Sequence, residues 1–160
     1  MTTTVRGLPR YLAIASIALL LTACVSNKPV QIFHTKIDAE IVAADDLNPD
    51  INGRPSPLVV RIYELKDIDA FEHADFFTLY DEEATTLEGH LIVREEIELT
   101  PGEQGEIRRR LNEETKYLGI VAAYRDIDQA RWRAVEPIIA KKTNALTIEL
   151  DRHNVTIIRR

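Results

Sequence analysis

From Phe33 to Ala43 the chain alternates. Phe33, Thr35, Ile37, Ala39, Ile41 and Ala43 take the odd positions, with His34, Lys36, Asp38, Glu40 and Val42 between them. A period of two is the repeat of a strand with one buried and one wet face, and it recurs along the chain. Leu58–Leu65 ("LVVRIYEL") is β-branched and aromatic, and Leu91, Val93, Ile97 and Leu99 alternate within "HLIVREEIEL". "IRRRL" (Ile107–Leu111) has a polar face, whereas "YLGIVAAYRDI" from Tyr117 is almost wholly apolar and reads as a central strand covered on both sides. "RWRAVEPIIA" reads as an edge strand interrupted by Pro137, with Trp132 a core residue or, alternatively, a surface-exposed contact residue. "NALTIEL" and "NVTIIRR" flank "DRH" as a C-terminal hairpin. "TPGEQGE" (Thr100–Glu106) is a turn, with Pro101 fixing φ and Gly102 supplying the permissive partner. These are about eight short strands with turns at regular spacing, which predicts an all-β sandwich. One helical excursion interrupts them at about residues 67–88. There Asp69 and Glu72 have capping-box spacing, and Phe71, Phe76, Leu79 and Tyr80 could be buried on one side of one or two short helices.

The N-terminus carries Arg6 and Arg10 and no acid through residue 23, and Tyr11–Ala23 is a 13-residue run of apolar or small residues. That run is shorter than the roughly 20 residues a spanning helix needs, and it has the form of an export signal. It ends in "LTAC", which resembles the lipobox of bacterial lipoproteins. Residues 1–23 are then the removed signal peptide, Cys24 the lipidated residue and residues 24–30 a short tether to a domain spanning 31–160. Cys24 is the sole cysteine, so no disulfide supports the fold, and two or three acyl chains would hold the protein to a membrane nearly permanently. Val25, where an Asp would favour retention in the inner membrane of bacterial lipoproteins, leaves the outer membrane as the default. Removing the signal leaves 137 of the 160 residues and takes the net charge from −6 to −8, because two arginines leave with no acid. An acidic chain without a basic run argues against nucleic acid, and 45% hydrophobic residues suit one real core.

Side chains for catalysis are sparse. His34, His73, His90 and His153 are scattered without ligand spacing, and Ser26 and Ser56, the serines remaining after cleavage, lack a nucleophile-elbow context. The expectation is no catalytic site, no metal and no cofactor beyond the covalent lipid. "DDLNPDINGRPSP" (Asp45–Pro57) is the most informative connection. Asp46, Asn48, Asp50 and Asn52 occupy positions 1, 3, 5 and 7 of a calcium loop. Position 6, however, is Ile51 where Gly is required, and position 12 is Pro57 where Glu is required. A bland turn needs only part of this length, and long ordered loops are commonly functional. Leu47 and Ile51 give the loop apolar tips.

Three stretches, "LNPDINGRPSPLVVRIYELKD", "FEHADFFTLYD" and "YLGIVAAYRDIDQARWRAV", resemble in order the TssJ (SciN) family of type VI secretion lipoproteins. The resemblance implies a transthyretin-like β-sandwich with a helical insertion, anchored by lipid at the periplasmic face of the outer membrane. It implies a non-enzymatic role: binding the periplasmic region of the inner-membrane protein TssM and, through the complex, TssL. The loop between the first two strands would carry that contact, which on this chain assigns Asn48, Pro49, Asp50, Ile51, Asn52, Gly53, Arg54 and Pro55. Three prolines (Pro49, Pro55, Pro57) stiffen the loop and reduce the entropy lost on docking. The competing reading is a small-molecule or glycan-binding periplasmic lipoprotein on the same sandwich, which needs a concave patch of exposed aromatics. A transthyretin-like hydrolase would need a C-terminal tyrosine-bearing motif, and this chain ends "TIIRR". Cys24→Ser is expected to abolish incorporation of radiolabelled palmitate and to move the protein out of the membrane fraction; continued membrane attachment would refute the lipid anchor.

Overall fold

The computed structural model describes residues 33–160 and, before them, Thr2 alone; Cys24 and the expected tether lie outside the described residues. Eight strands form two four-stranded sheets. The first has the order β4-β1-β7-β8 and the second β3-β2-β5-β6. The strands are β1 Lys36–Ala43, β2 Leu58–Leu65, β3 Leu91–Leu99, β4 Gln104–Arg110, β5 Tyr117–Ala122, β6 Arg133–Pro137, β7 Thr143–Leu150 and β8 Val155–Arg159. β1 and β7 run parallel, and the other paired strands are antiparallel. The expected two-sheet sandwich is what forms.

The two faces of the second sheet explain the difference between its strands and those of the first. Even-numbered residues of β2 and β5 (Leu58, Val60, Ile62, Leu118, Ile120, Ala122) meet Ile37, Ala39 and Ile41 of β1 and Leu146 and Ile148 of β7 in the inter-sheet core. Odd-numbered Tyr63, Leu65 and Val121 form a second core with Phe71, Leu79 and Leu87 of the segment between β2 and β3. That segment folds as three short helices, α1 Asp69–His73, α2 Phe76–Asp81 and α3 Glu83–Thr86. Both faces of β2 and β5 are thus dry, which is why β5 reads as continuously apolar. Gly119 makes the close approach of α1 possible. A Cβ there would stand 2.8 Å from Phe71 Cζ and 3.1 Å from Leu65 Cδ1.

Several local expectations need correction. Asp69 does not cap α1: the N-cap is Ile68, with no side-chain cap bond. The capping side chain is Asp75, whose Oδ1 accepts from Thr78 N at 3.0 Å at the start of α2. Phe33 does not join the buried face of β1 and is 63% exposed, the strand beginning at Lys36. Val93 lies on the edge strand β3 and is exposed. The turn after β3 is tighter than Thr100–Glu106, because Gln104–Glu106 already pair in β4. Trp132 is half-buried and touches both cores, its ring edge-on to Phe76 at 5.2 Å.

Among the described residues, Glu64 and Asn144 are fully buried polar residues on inward-facing strand positions, and Glu64 links the two sheets. Glu64 is 1% exposed; it accepts from Arg109, from Thr115 Oγ1 at 2.6 Å and from Asn112 N at 2.9 Å. It therefore ties β2 of one sheet to the end of β4 in the other. Burial raises its pKa, but the bonds from Thr115, Arg109 and Asn112 outweigh that and hold it below the ordinary value. With the folded-state carboxyl more acidic than the unfolded one, this stabilisation is full above about pH 4.5 and is lost as the pH falls below it. Glu64→Gln is expected to cost about 2–3 kcal/mol at pH 7 and to flatten the acid limb of the stability profile, as read by denaturant melts from pH 7 to pH 3. Gly119→Ala is expected to cost about 1–3 kcal/mol through displacement of Phe71, measured by thermal unfolding.

Candidate functional site

β1 and β2 belong to different sheets, so residues 44–57 must cross from one to the other, and they close one end of the sandwich as they do. Leu47 is fully buried in the inter-sheet core. It is the root of the loop and not, as its sequence suggested, an apolar tip. Its backbone carbonyl accepts from Ser56 N at 3.0 Å, which draws the two arms of the loop together. Asn48 follows at φ 44, in the left-handed region that Asn tolerates better than most residues. Its side chain is turned inward and is satisfied on both ends. Nδ2 donates to Pro57 O at 2.7 Å, and Oδ1 accepts from Arg125 N at 2.8 Å. The crossing loop is thereby clamped to the β5–β6 connection.

Beyond this clamp the tip is organised by Asp50. Its Oδ1 accepts from Asn52 N and Arg54 N at 2.8 and 3.0 Å, and its Oδ2 from Arg54 Nε at 2.8 Å. Asp50 N donates to Arg54 O, Gly53 N donates to Asp50 O, and Gly53 takes φ +77. These donors, the Arg54 backbone N–H foremost, hold the Asp50 carboxyl down at about 2. The folded tip leaves Ile51 completely exposed, at 102% of its reference area, while Asn52, Gly53, Arg54 and Pro55 are exposed beside it. Pro49 is buried.

The residues assigned from sequence thus divide. Asn48, Pro49 and Asp50 build the loop, and Ile51–Pro55 form its outer surface. Asn48 and Asp50 spend their oxygens on N–H groups of the chain, so the alternating oxygens of the loop do not converge. Among the described residues no group of three His, Cys, Asp or Glu side chains is placed to hold a metal.

Two further connections reach the same end. Residues 123–132 and 151–154 are joined by Arg131 N donating to His153 O at 2.8 Å and Val155 N donating to Arg131 O at 3.0 Å. Buried Tyr124 adds a bond from its hydroxyl to Asn154 O at 2.6 Å, and burial pushes its pKa up. With Pro49, Asp50 and Ile51, the side chains of Arg125, Asp126, Arg152 and His153 line a concave surface of about 620 Å³. Sequence reasoning placed Arg125 and Asp126 within the run read as a central strand, which in the structure ends at Ala122, and Arg152 and His153 in the turn of the C-terminal hairpin. Strand order is what brings them beside Ile51, and no local pattern carries that information. Arg152 also lies 3.8 Å from Asp46 across the loop root. The aromatic rings, by contrast, are largely spent on each other. Phe76 stacks on Tyr80 at 5.1 Å, and the guanidinium of Arg61 sits 3.6 Å from the Tyr80 ring centre.

Residues 35–153 match the family model of the type VI secretion lipoproteins, T6SS-SciN, whose description includes VasD, EvfM and TssJ. The T6SS lipoprotein TssJ1 from Pseudomonas aeruginosa is 42% identical, with a TM-score of 0.78 over 79% of this chain and 97% of that one. Serratia marcescens Lip, described as a membrane bound component of the Type VI Secretion System, shares the fold at 20% identity and a TM-score of 0.72, over 78% of this chain and 97% of Lip. A chain of a structure described as the T6SS protein TssM C-terminal domain (869-1107) from EAEC is 26% identical, with a TM-score of 0.65 over 78% of this chain and 98% of that one. No curated protein matches. A family match across nearly the whole described domain, on the same eight-stranded sandwich, means that this chain belongs to the type VI secretion lipoprotein family that includes TssJ.

Proposed function

We propose that this chain is a non-enzymatic outer-membrane lipoprotein. It anchors the type VI secretion trans-envelope complex by holding the periplasmic region of TssM through the exposed tip Ile51–Pro55, with TssL joined through the complex and Cys24 carrying the lipid. The observation that carries the reading is an apolar side chain held wholly in water by a tip already fixed in shape. A free loop would hide Ile51 or lose entropy on docking; this one has been ordered by folding, and pre-organisation of that kind favours tight association. Around Ile51, Arg54 and Arg125 supply donors for the polar rim that interfaces of this type use.

Two matches support TssM as the partner. One is a chain from a structure described as a Type VI membrane complex, at 27% identity. The other is the chain from the TssM C-terminal domain structure. Since 78% of 160 residues covers 98% of it, that chain is far shorter than the span 869–1107, and it reads better as a companion of the domain than as the domain itself.

Ile51→Asp is expected to weaken capture of the TssM periplasmic region by tenfold or more, by calorimetry or pull-down, with the melting temperature unchanged. Wild-type affinity in that variant would refute the tip assignment. Asn48→Ala should act differently, lowering stability by about 1–3 kcal/mol through two unpaired buried groups and weakening capture while Ile51 is still present.

A further inference from the structure

The end of the sandwich opposite the crossing loop has its own chemistry. Phe33, where the described chain begins, enters β1 there, and Lys36 pairs with Arg110 of β4 and Thr143 of β7. The β6–β7 turn is tied to the same place: Lys141 N donates to Thr35 Oγ1 at 2.9 Å, and Lys36 N donates to Lys142 O at 2.9 Å. Lys116 arrives from the second sheet, its N–H donating to Leu65 O and its carbonyl accepting from Ile138 N.

Lys36, Arg110, Lys116, Lys141 and Lys142 are all exposed, and none has an ion-pair partner among the described residues. Of the other cations, Arg54, Arg61, Arg94, Arg108, Arg152, Arg159 and Arg160 each pair with a carboxylate, while Arg125 and Arg131, near the crossing loop, are exposed without an ion pair among the described residues. Two large apolar side chains stand exposed at this end, Phe33 at 63% and Ile139 at 45%. The exposed acids there include Asp67, Asp69, Glu88 and Glu113, with Glu114 engaged by Lys66 at 3.0 Å. Asp67 and Glu88 flank the helical segment between β2 and β3.

We propose that this basic, apolar-tipped end docks on anionic phospholipid headgroups of the membrane that holds the anchor. The proposal rests on the anchoring reading above and adds an orientation to it. Eight residues lie between Cys24 and Phe33, and the nine steps span at most about 30 Å of extended chain. An end that carries the tether is therefore confined near the headgroups, where juxtamembrane Lys and Arg are attracted and Phe and Ile can enter the interface. The acids of the loop end do not cancel this attraction. β1 is eight residues long, about 26 Å, several times the roughly 8 Å over which charge is screened in physiological salt. Seating this end on the surface turns Ile51 and its loop away from the bilayer toward the periplasm.

The test uses the mature chain from residue 24 with Cys24→Ser, so that no acyl chain contributes, and millimolar lipid as vesicles of phosphatidylethanolamine with or without 30% phosphatidylglycerol. Cosedimentation is expected with the anionic vesicles alone and should decline at high salt. Each cation contributes about fivefold, so Lys116→Glu with Lys142→Glu is expected to lower partitioning at least 25-fold. Lys116→Gln with Lys142→Gln repeats the test should the reversal not fold. Equal partitioning to both vesicle types, no partitioning to either, or indifference to the substitutions would overturn the proposal. Capture of the TssM region by the same variant in solution should stay at wild-type strength, and palmitate labelling of unmodified Cys24 reports the anchor separately. Failure of the docking surface is thus distinguishable from failure of the tip or of the anchor.

Discussion

The arrangement depends on burial of β2 and β5 from both sides. One face of each strand fills the inter-sheet core and the other meets the three short helices. Each large aliphatic side chain removed from water contributes about 1.5–3 kcal/mol, so the second sheet gains from two cores at once and becomes the stiff layer of the molecule. That stiffness has a sequence requirement at Gly119, where only the absence of a Cβ lets Phe71 lie against the strand. It has a polar one at Glu64, which fastens the layer to the opposite sheet through Arg109 and the Asn112–Thr115 turn.

The loop at the far end inherits this rigidity instead of generating its own. Leu47 roots it in the inter-sheet core, and Asn48 ties it to Arg125 just beyond the end of β5. What remains for the tip is a small self-bonded turn around Asp50, with Arg54 paired at 2.7 Å. A mobile loop with the same exposed residues would present Ile51 in many orientations. Here the supporting contacts select one.

The strands were legible because burial imposes a period of two on β1 and β7 and a continuous apolar run on β5. The pattern blurred where burial is one-sided or partial, as on edge strand β3, and at the turn before β4, where polar Gln104 and Glu106 pair with β1 as readily as apolar residues would. The helix start was misplaced because Asp69 and Glu72 have the spacing of a capping box, whereas the cap that forms is Asp75 on the next helix. The loop was visible as an unusual run of Asn, Asp and Pro, but the direction of its side chains was not. Leu47 and Asn48 look like surface residues in the sequence and are internal because of what the fold places beneath them. Arg125 and Arg152 become neighbours of Ile51 only through strand order, which adjacent residues do not encode.

β1 occupies the middle of its sheet, paired with β4 on one side and β7 on the other along its whole length. Its first residue leads back to the N-terminal segment and its last leads into the crossing loop. On the proposed reading, a pull between a lipid-anchored N-terminus and a partner held at the loop would load β1 lengthwise, with the Leu47 root and the Asn48–Arg125 clamp sharing it. Both ladders then bear the load in shear, every bond sharing the force together, where a strand peeled from an edge would surrender its bonds one at a time. That topology suits the anchoring role proposed above.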